Sequence, residues 1–159
     1  MSTLSPSRST STQPATAGVD PRAQQFTAAV TAVVLAAVLL LAPSPLAVGL
    51  LAAQAVLFAI ASVRGVRRTP HAWAFRRFVR PRLGPPAELE DPAPPRFAQA
   101  VGLTFSVIGL LGFLTGAVVV GLVATGFALA AALLNAVFGF CLGCETYLLI
   151  QRLRPAAAR

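Results

Sequence analysis

Charge is what this sequence has least of. Only 11% of its 159 residues are charged, against roughly 25% in a soluble globular domain. A chain so short of charge cannot clothe a soluble core, and a soluble domain is excluded as its main body. Lysine is missing altogether: all thirteen basic residues are Arg, set against five acidic ones, for a net charge of +8. Such a balance invites a nucleic-acid reading. These arginines, however, stand beside apolar runs, where they read as topology signals and as contacts to membrane lipids, so no nucleic-acid partner is expected. The two cysteines are only three positions apart and make no secreted disulfide framework. There is one His, and a structural zinc site needs four ligands, so no metal is assigned to a single chain. No glycine-rich phosphate loop, paired catalytic carboxylates or nucleophile–His–Asp set is present. A conventional hydrolase or nucleotide-using enzyme is excluded, and no cofactor is expected.

What is present is apolar sequence, 56% of the chain, gathered in long runs of the kind that cross membranes. Residues 1–22 read as a disordered polar tail rich in Ser, Thr, Pro and Ala. Spans are expected at about 24–42, 46–63, 97–115 and 118–140. The first is a span rather than a secretory leader, since its polar approach is long and Arg22 is its only nearby positive charge. Pro43-Ser44-Pro45 turns it sharply into the second, which Arg64, Arg67 and Arg68 stop. In the connector 64–96, Thr69-Pro70 is a helix start. Ala72, Phe75, Phe78 and Val79 then share a face, with Arg76, Arg77 and Arg80 largely off it and Trp73 beside it. That pattern predicts a short interfacial helix ended by Pro81, with arginines for lipid or partner contact. The expected fold class is therefore an all-α integral membrane protein, a four-transmembrane-helix bundle with a short amphipathic helix between spans 2 and 3.

The last apolar stretch, from Ala117 to Ile150, is too long for one straight crossing of roughly 30 Å. A break is expected over 139–144, where Gly139 and Gly143 weaken the helix, followed by a helical segment 145–153 and a tail 154–159. With four spans, every Arg falls on one side and none in the two opposite turns. By the positive-inside rule that side is cytoplasmic. The expectation is a multi-pass protein of the plasma membrane with both termini and the break on the cytoplasmic face.

Cys141 and Cys144 lie at this break. Residues i and i+3 of a helix share a face, at a separation a disulfide can bridge. The pair could cycle between dithiol and disulfide or pass sulfane sulfur. A helix starting after Gly143 would stabilise a thiolate at Cys144. Metal binding and simple burial of two small apolar side chains are the alternatives. Glu145, one turn after Cys141, is a candidate proton acceptor or an interfacial carboxylate paired with Arg152 or Arg154, and Tyr147 an interface anchor. Asn135 and Gln54 are intramembrane polar residues, marking a pathway or gluing helices by hydrogen bonds. His71 reads as a solvated or headgroup-facing side chain. Gly112-x-x-x-Gly116 and Gly139-x-x-x-Gly143 permit close helix approach, including homodimer contacts.

Three stretches together resemble a known family. They are Val19-Asp20-Pro21-Arg22; Arg80 to Asp91 with Pro94-Pro95-Arg96-Phe97-Ala98-Gln99; and Asn135 to Tyr147, which contains the Cys-x-x-Cys. The resemblance spans about 19–153 and is to the bacterial membrane family named domain of unknown function 4395. It carries no established activity. It implies a genomic association with thioredoxin-like and sulfurtransferase proteins, and hence a partner of that kind. The function expected is a membrane thiol protein exchanging thiols, disulfides or sulfur with a cytoplasmic partner. A small permease for an inorganic sulfur species or soft metal ion, and a non-catalytic membrane scaffold, are the alternatives.

Overall fold

The computed structural model describes residues 18–86 and 88–153. Most of the expected polar tail and the segment 154–159, with Arg154, lie outside the described residues. Four long helices form the body: α1 (Pro21–Leu41), α2 (Pro45–Arg64), α4 (Ala93–Leu114) and α5 (Val118–Phe138). Between the second and third lies α3 (Pro70–Ala74), and α6 (Leu142–Leu153) closes the chain. The four long helices are each long and apolar enough to cross a membrane. They pack as an antiparallel ring in which α1 and α4 each touch both α2 and α5. Their outer surface carries Val33, Leu40, Val56, Val63, Leu114 and Phe138 well exposed. Only an apolar solvent accepts such a surface without aggregation. The chain is an all-α, multi-pass membrane bundle.

Local chemistry starts three of the four long helices. Asp20 accepts from Arg22 N–H ahead of Pro21, and Ser44 accepts from Ala47 N–H ahead of Pro45. Asp91 accepts from Ala93 N–H at 2.8 Å, and Pro94 and Pro95 occupy the first turn of α4, where no amide is needed. Two boundaries differ from the sequence reading for this reason. The third span starts at Ala93 rather than 97, and the first at Pro21, inside the stretch read as tail. Val19 is already ordered, exchanging both backbone hydrogen bonds with Glu90 at 2.9 Å.

The interfacial segment is helical but not uniform. Thr69 caps α3 by accepting from Ala72 N–H at 3.2 Å. The winding then loosens to a π turn over Phe75–Val79 and tightens to a 3-10 turn over Arg80–Arg82. The helical path thus runs past Pro81, which sits in the first turn of the 3-10 segment. The wider turn also breaks the expected face: Ala72 and Phe75 are buried, whereas Phe78 is exposed and meets the exposed Trp73 edge-on at 5.9 Å.

The bundle is packed unevenly along its length. The main apolar core is Leu35, Val38, Ala47, Leu51, Phe113 and Ala128, concentrated toward the two short turns. There Gly112 lies so close to Gly121 that a Cβ would stand 2.5 Å from the Gly121 nitrogen. The opposite half, toward the arginine-rich connector, holds the cavities and the side chains of Gln24, Thr27, Gln99 and Asn135 that line them.

Candidate functional site

The last long helix ends at Gly139, whose positive φ of 67° suits a residue without Cβ. Its N–H donates to the Asn135 carbonyl at 3.0 Å. The chain turns through Phe140 and Cys141, and α6 begins at Leu142. The break is thus shorter than expected, and the helix starts before Gly143 rather than after it. The reason is that Cys141 itself acts as the cap. Its carbonyl accepts from Glu145 N–H at 3.0 Å, and its Sγ accepts from Cys144 N–H at 3.3 Å. The sulfur that receives amide polarity is that of Cys141; the thiolate stabilisation at Cys144 was tied to a helix start after Gly143, which is not the start observed.

Cys141 and Cys144 are joined as a disulfide, with Cα atoms 5.2 Å apart. Both residues are half-buried. Helix α6 is held against the start of α4, where a Cβ on Gly143 would stand 2.6 Å from the Ala98 Cβ, and the rings of Tyr147 and Phe97 lie 5.6 Å apart. Gly112 and Gly143, singled out as sites of close helix approach, are thus both used within the chain. Glu145 is exposed in the first turn of α6, where a carboxylate complements the helix dipole. Among the described residues its side chain has no hydrogen-bond or ion-pair partner.

Behind the disulfide a cavity of about 280 Å³ extends into the bundle between α1, α4 and α5. Cys141 is part of its wall, as are Asn135, Gln24, Gln99, Thr27 and Thr31, with Phe58, Phe105 and Phe127 supplying aromatic surface. Asn135, one of the two polar residues picked from the sequence, is therefore beside the cysteines. Gln54, the other, is not on this wall. It is buried and donates to Thr31 Oγ1 at 3.4 Å, joining α2 to α1, while its Oε1 has no partner among the described residues. It instead borders a void of about 10 Å³, room for about one water, shared with Gln24, Thr27, Gln99 and His71. His71 is half-buried, and desolvation holds its imidazole below its ordinary pKa.

A second cavity of about 280 Å³ opens between the start of α1 and the connector, bordered by Arg67, Arg76 and Arg80. Arg76 also donates to the Arg67 carbonyl at 2.8 Å. Arg77 is not part of it and lies 5.8 Å from the Phe78 ring centroid. Gln24 and Thr27 border all three spaces. These two, with Gln99, are the residues that sequence reasoning passed over. The signal was available: Gln24, Thr27 and Thr31 are spaced three and four apart, a polar stripe along one face of the first span.

The connector is tied to this same end. Arg22 donates to the carbonyls of Leu83 at 3.3 Å and Pro85 at 3.1 Å, and forms an ion pair with Asp20 at 3.6 Å. Arg96 donates to the Ser62 and Val63 carbonyls, covering the end of α2. The stretches 19–22, 80–99 and 135–147 are distant in sequence and converge around the disulfide end of the bundle. A family model, "Domain of unknown function (DUF4395)", matches residues 19–152. The chain belongs to that family. No curated protein and no solved structure matches it. Within this DUF4395 member the matched region starts at the Val19–Glu90 pairing and ends in α6, so it takes in all four long helices and the disulfide.

Proposed function

We propose that this is a membrane thiol–disulfide exchange protein whose Cys141–Cys144 pair accepts electrons from a dithiol protein on the arginine-rich side, which is the cytoplasmic side of the plasma membrane. The observation that carries the reading is the disulfide at the start of α6, with Cys141 Sγ held by an amide of that helix. Disulfides are rare in reducing compartments unless they turn over, and a helix start favours the thiolate of the capping cysteine. Cys141 is therefore the better leaving group. A partner thiolate attacks Cys144 Sγ, the S–S bond breaks and Cys141 leaves as thiolate. The partner's second thiolate then attacks the mixed disulfide and releases Cys144. The partner becomes a disulfide and this protein a dithiol. A thioredoxin-like protein has the dithiol chemistry required of the donor, and the exposed arginines Arg76, Arg77 and Arg80 supply a basic surface for its approach or for anionic lipid. Membrane lipids cover the rest.

The test is trapping. With Cys141→Ser, the lone Cys144 thiol should attack the disulfide of the oxidised partner, the reverse of the exchange step, and the mixed disulfide so formed should accumulate in cells and identify the partner by mass spectrometry. Cys144→Ser should trap far less. If a double Cys→Ser variant fully restores the thiol-dependent growth of a deletion strain, the reading is wrong and the protein acts as a scaffold.

A further inference from the structure

A dithiol made by exchange must be reoxidised before the next turnover. We propose that the cavity behind Cys141 binds the ring of a membrane-soluble quinone, which takes two electrons from the Cys141–Cys144 dithiol; the inference rests on the exchange reading above.

Four observations converge. Cys141 is on the cavity wall and Cys144 is not, so the disulfide borders the cavity through one of its two residues. The cavity is about 280 Å³, at the small end of the roughly 300–1,000 Å³ typical of ligand pockets, and so the size of a ring rather than a large cofactor. Its wall combines the aromatic surface of Phe58, Phe105 and Phe127 with the amide-bearing residues Gln24, Gln99 and Asn135. A quinone carbonyl is an acceptor without a donor of its own, and side-chain amides are the neutral donors that suit it. Finally, Phe127 is both part of the wall and 62% exposed on the outside of the bundle. Phe127 therefore stands between the cavity and the lipid-facing surface, the side from which a ligand with an isoprenoid tail would enter.

The step balances. Two S–H bonds break and one S–S bond forms between Cys141 and Cys144, releasing two electrons and two protons. The quinone takes both, its carbonyl oxygens become hydroxyls, and a hydroquinone leaves to the membrane. With the exchange step, a partner dithiol plus quinone becomes a partner disulfide plus hydroquinone.

The test uses the full chain in lipid nanodiscs without oxygen. In the first arm, dithiothreitol reduces the disulfide, followed by alkylation and mass spectrometry. In the second, the reduced protein, freed of reductant, meets a short-tailed benzoquinone or naphthoquinone, and quinone absorbance and thiol content are followed together. The expected result is stoichiometric hydroquinone with return of the disulfide. Gln24→Ala and Asn135→Ala should each raise the quinone KM roughly five- to tenfold, the worth of one hydrogen bond. Ala131→Phe, which fills the cavity, should abolish quinone reduction while leaving dithiothreitol reduction unchanged. A disulfide that is reduced normally but passes nothing to quinone overturns the quinone site and leaves the exchange reading standing. A disulfide that dithiothreitol never opens overturns both. Quinone reduction undiminished in all three cavity variants places the reaction outside the cavity and overturns the proposal.

Discussion

Cys141 and Cys144 have identical side chains and unequal surroundings, because only Cys141 stands where the first amides of α6 point. A helix start is worth about 0.3–1 kcal/mol to a negative charge. In the single-cysteine variants, the thiol of Cys141 should therefore react with iodoacetamide about two- to fivefold faster at neutral pH than that of Cys144. Equal rates would show that the cap has no electrostatic effect. His71 makes a different prediction. Burial holds its folded-state pKa below the ordinary 6.5, so the unfolded chain takes up a proton first as pH falls. The contribution of His71 to stability is full above 6.5 and declines as pH drops below that value. His71→Gln should flatten the loss of Tm between about pH 7.5 and 5.5 relative to the native chain, as read by thermal melts in detergent. A steeper loss in the variant would contradict the sign.

Elements meet here through missing side chains. Helix α6 lies on α4 because Gly143 lets the backbone reach Ala98, where an added Cβ would stand 2.7 Å from the Ala98 Cα. The neighbour is backbone and cannot swing away. Gly143→Val should lift α6 from α4, at a cost of about 1–3 kcal/mol typical of overpacking. The expected readouts are faster hydrogen exchange over 142–153 and a changed Tyr147 environment from loss of its packing against Phe97. Unchanged exchange in α6 would mean that the contact does not hold it. Gly112→Ala tests the other end of the bundle, where the Gly121 backbone blocks a methyl group. It should lower stability by a similar amount of about 1–3 kcal/mol without altering the reactivity of the cysteines, since the site lies at the opposite end of α4 from the disulfide.

Across the whole molecule, packing and polarity are divided along the membrane normal. The dense core sits toward the two short turns, and cavities, arginines and disulfide toward the connector. Such a division suits a protein that is anchored by one half and reacts with the other. The proposed orientation is tested by reporters: a fluorescent protein fused after Arg159 should fold and fluoresce inside the cell, and an export-dependent phosphatase inserted after Ser44 or Gly116 should be active. The reverse pattern would place the cysteines outside and remove the cytoplasmic partner.

The sequence by itself determined the number of long apolar helices, their antiparallel order, the gathering of every described Arg at one end and the closeness of two cysteines. These follow from length, hydropathy and i, i+3 spacing, which are local quantities. The caps at Asp20 and Ser44 were written there too, since each precedes a Pro. The tertiary structure alone decided which helices are neighbours, and so that Gln24 and Thr27 of the first span would face Asn135 of the last. It decided that Gln54 would serve Thr31 rather than the cavity, and that Val19 would pair with Glu90 across seventy residues of chain. It also decided which cysteine caps α6: Gly139 ends one helix and the contact of Gly143 with Ala98 positions the next. No periodicity encodes that choice, because it depends on where a second helix comes close enough to demand a residue without a side chain.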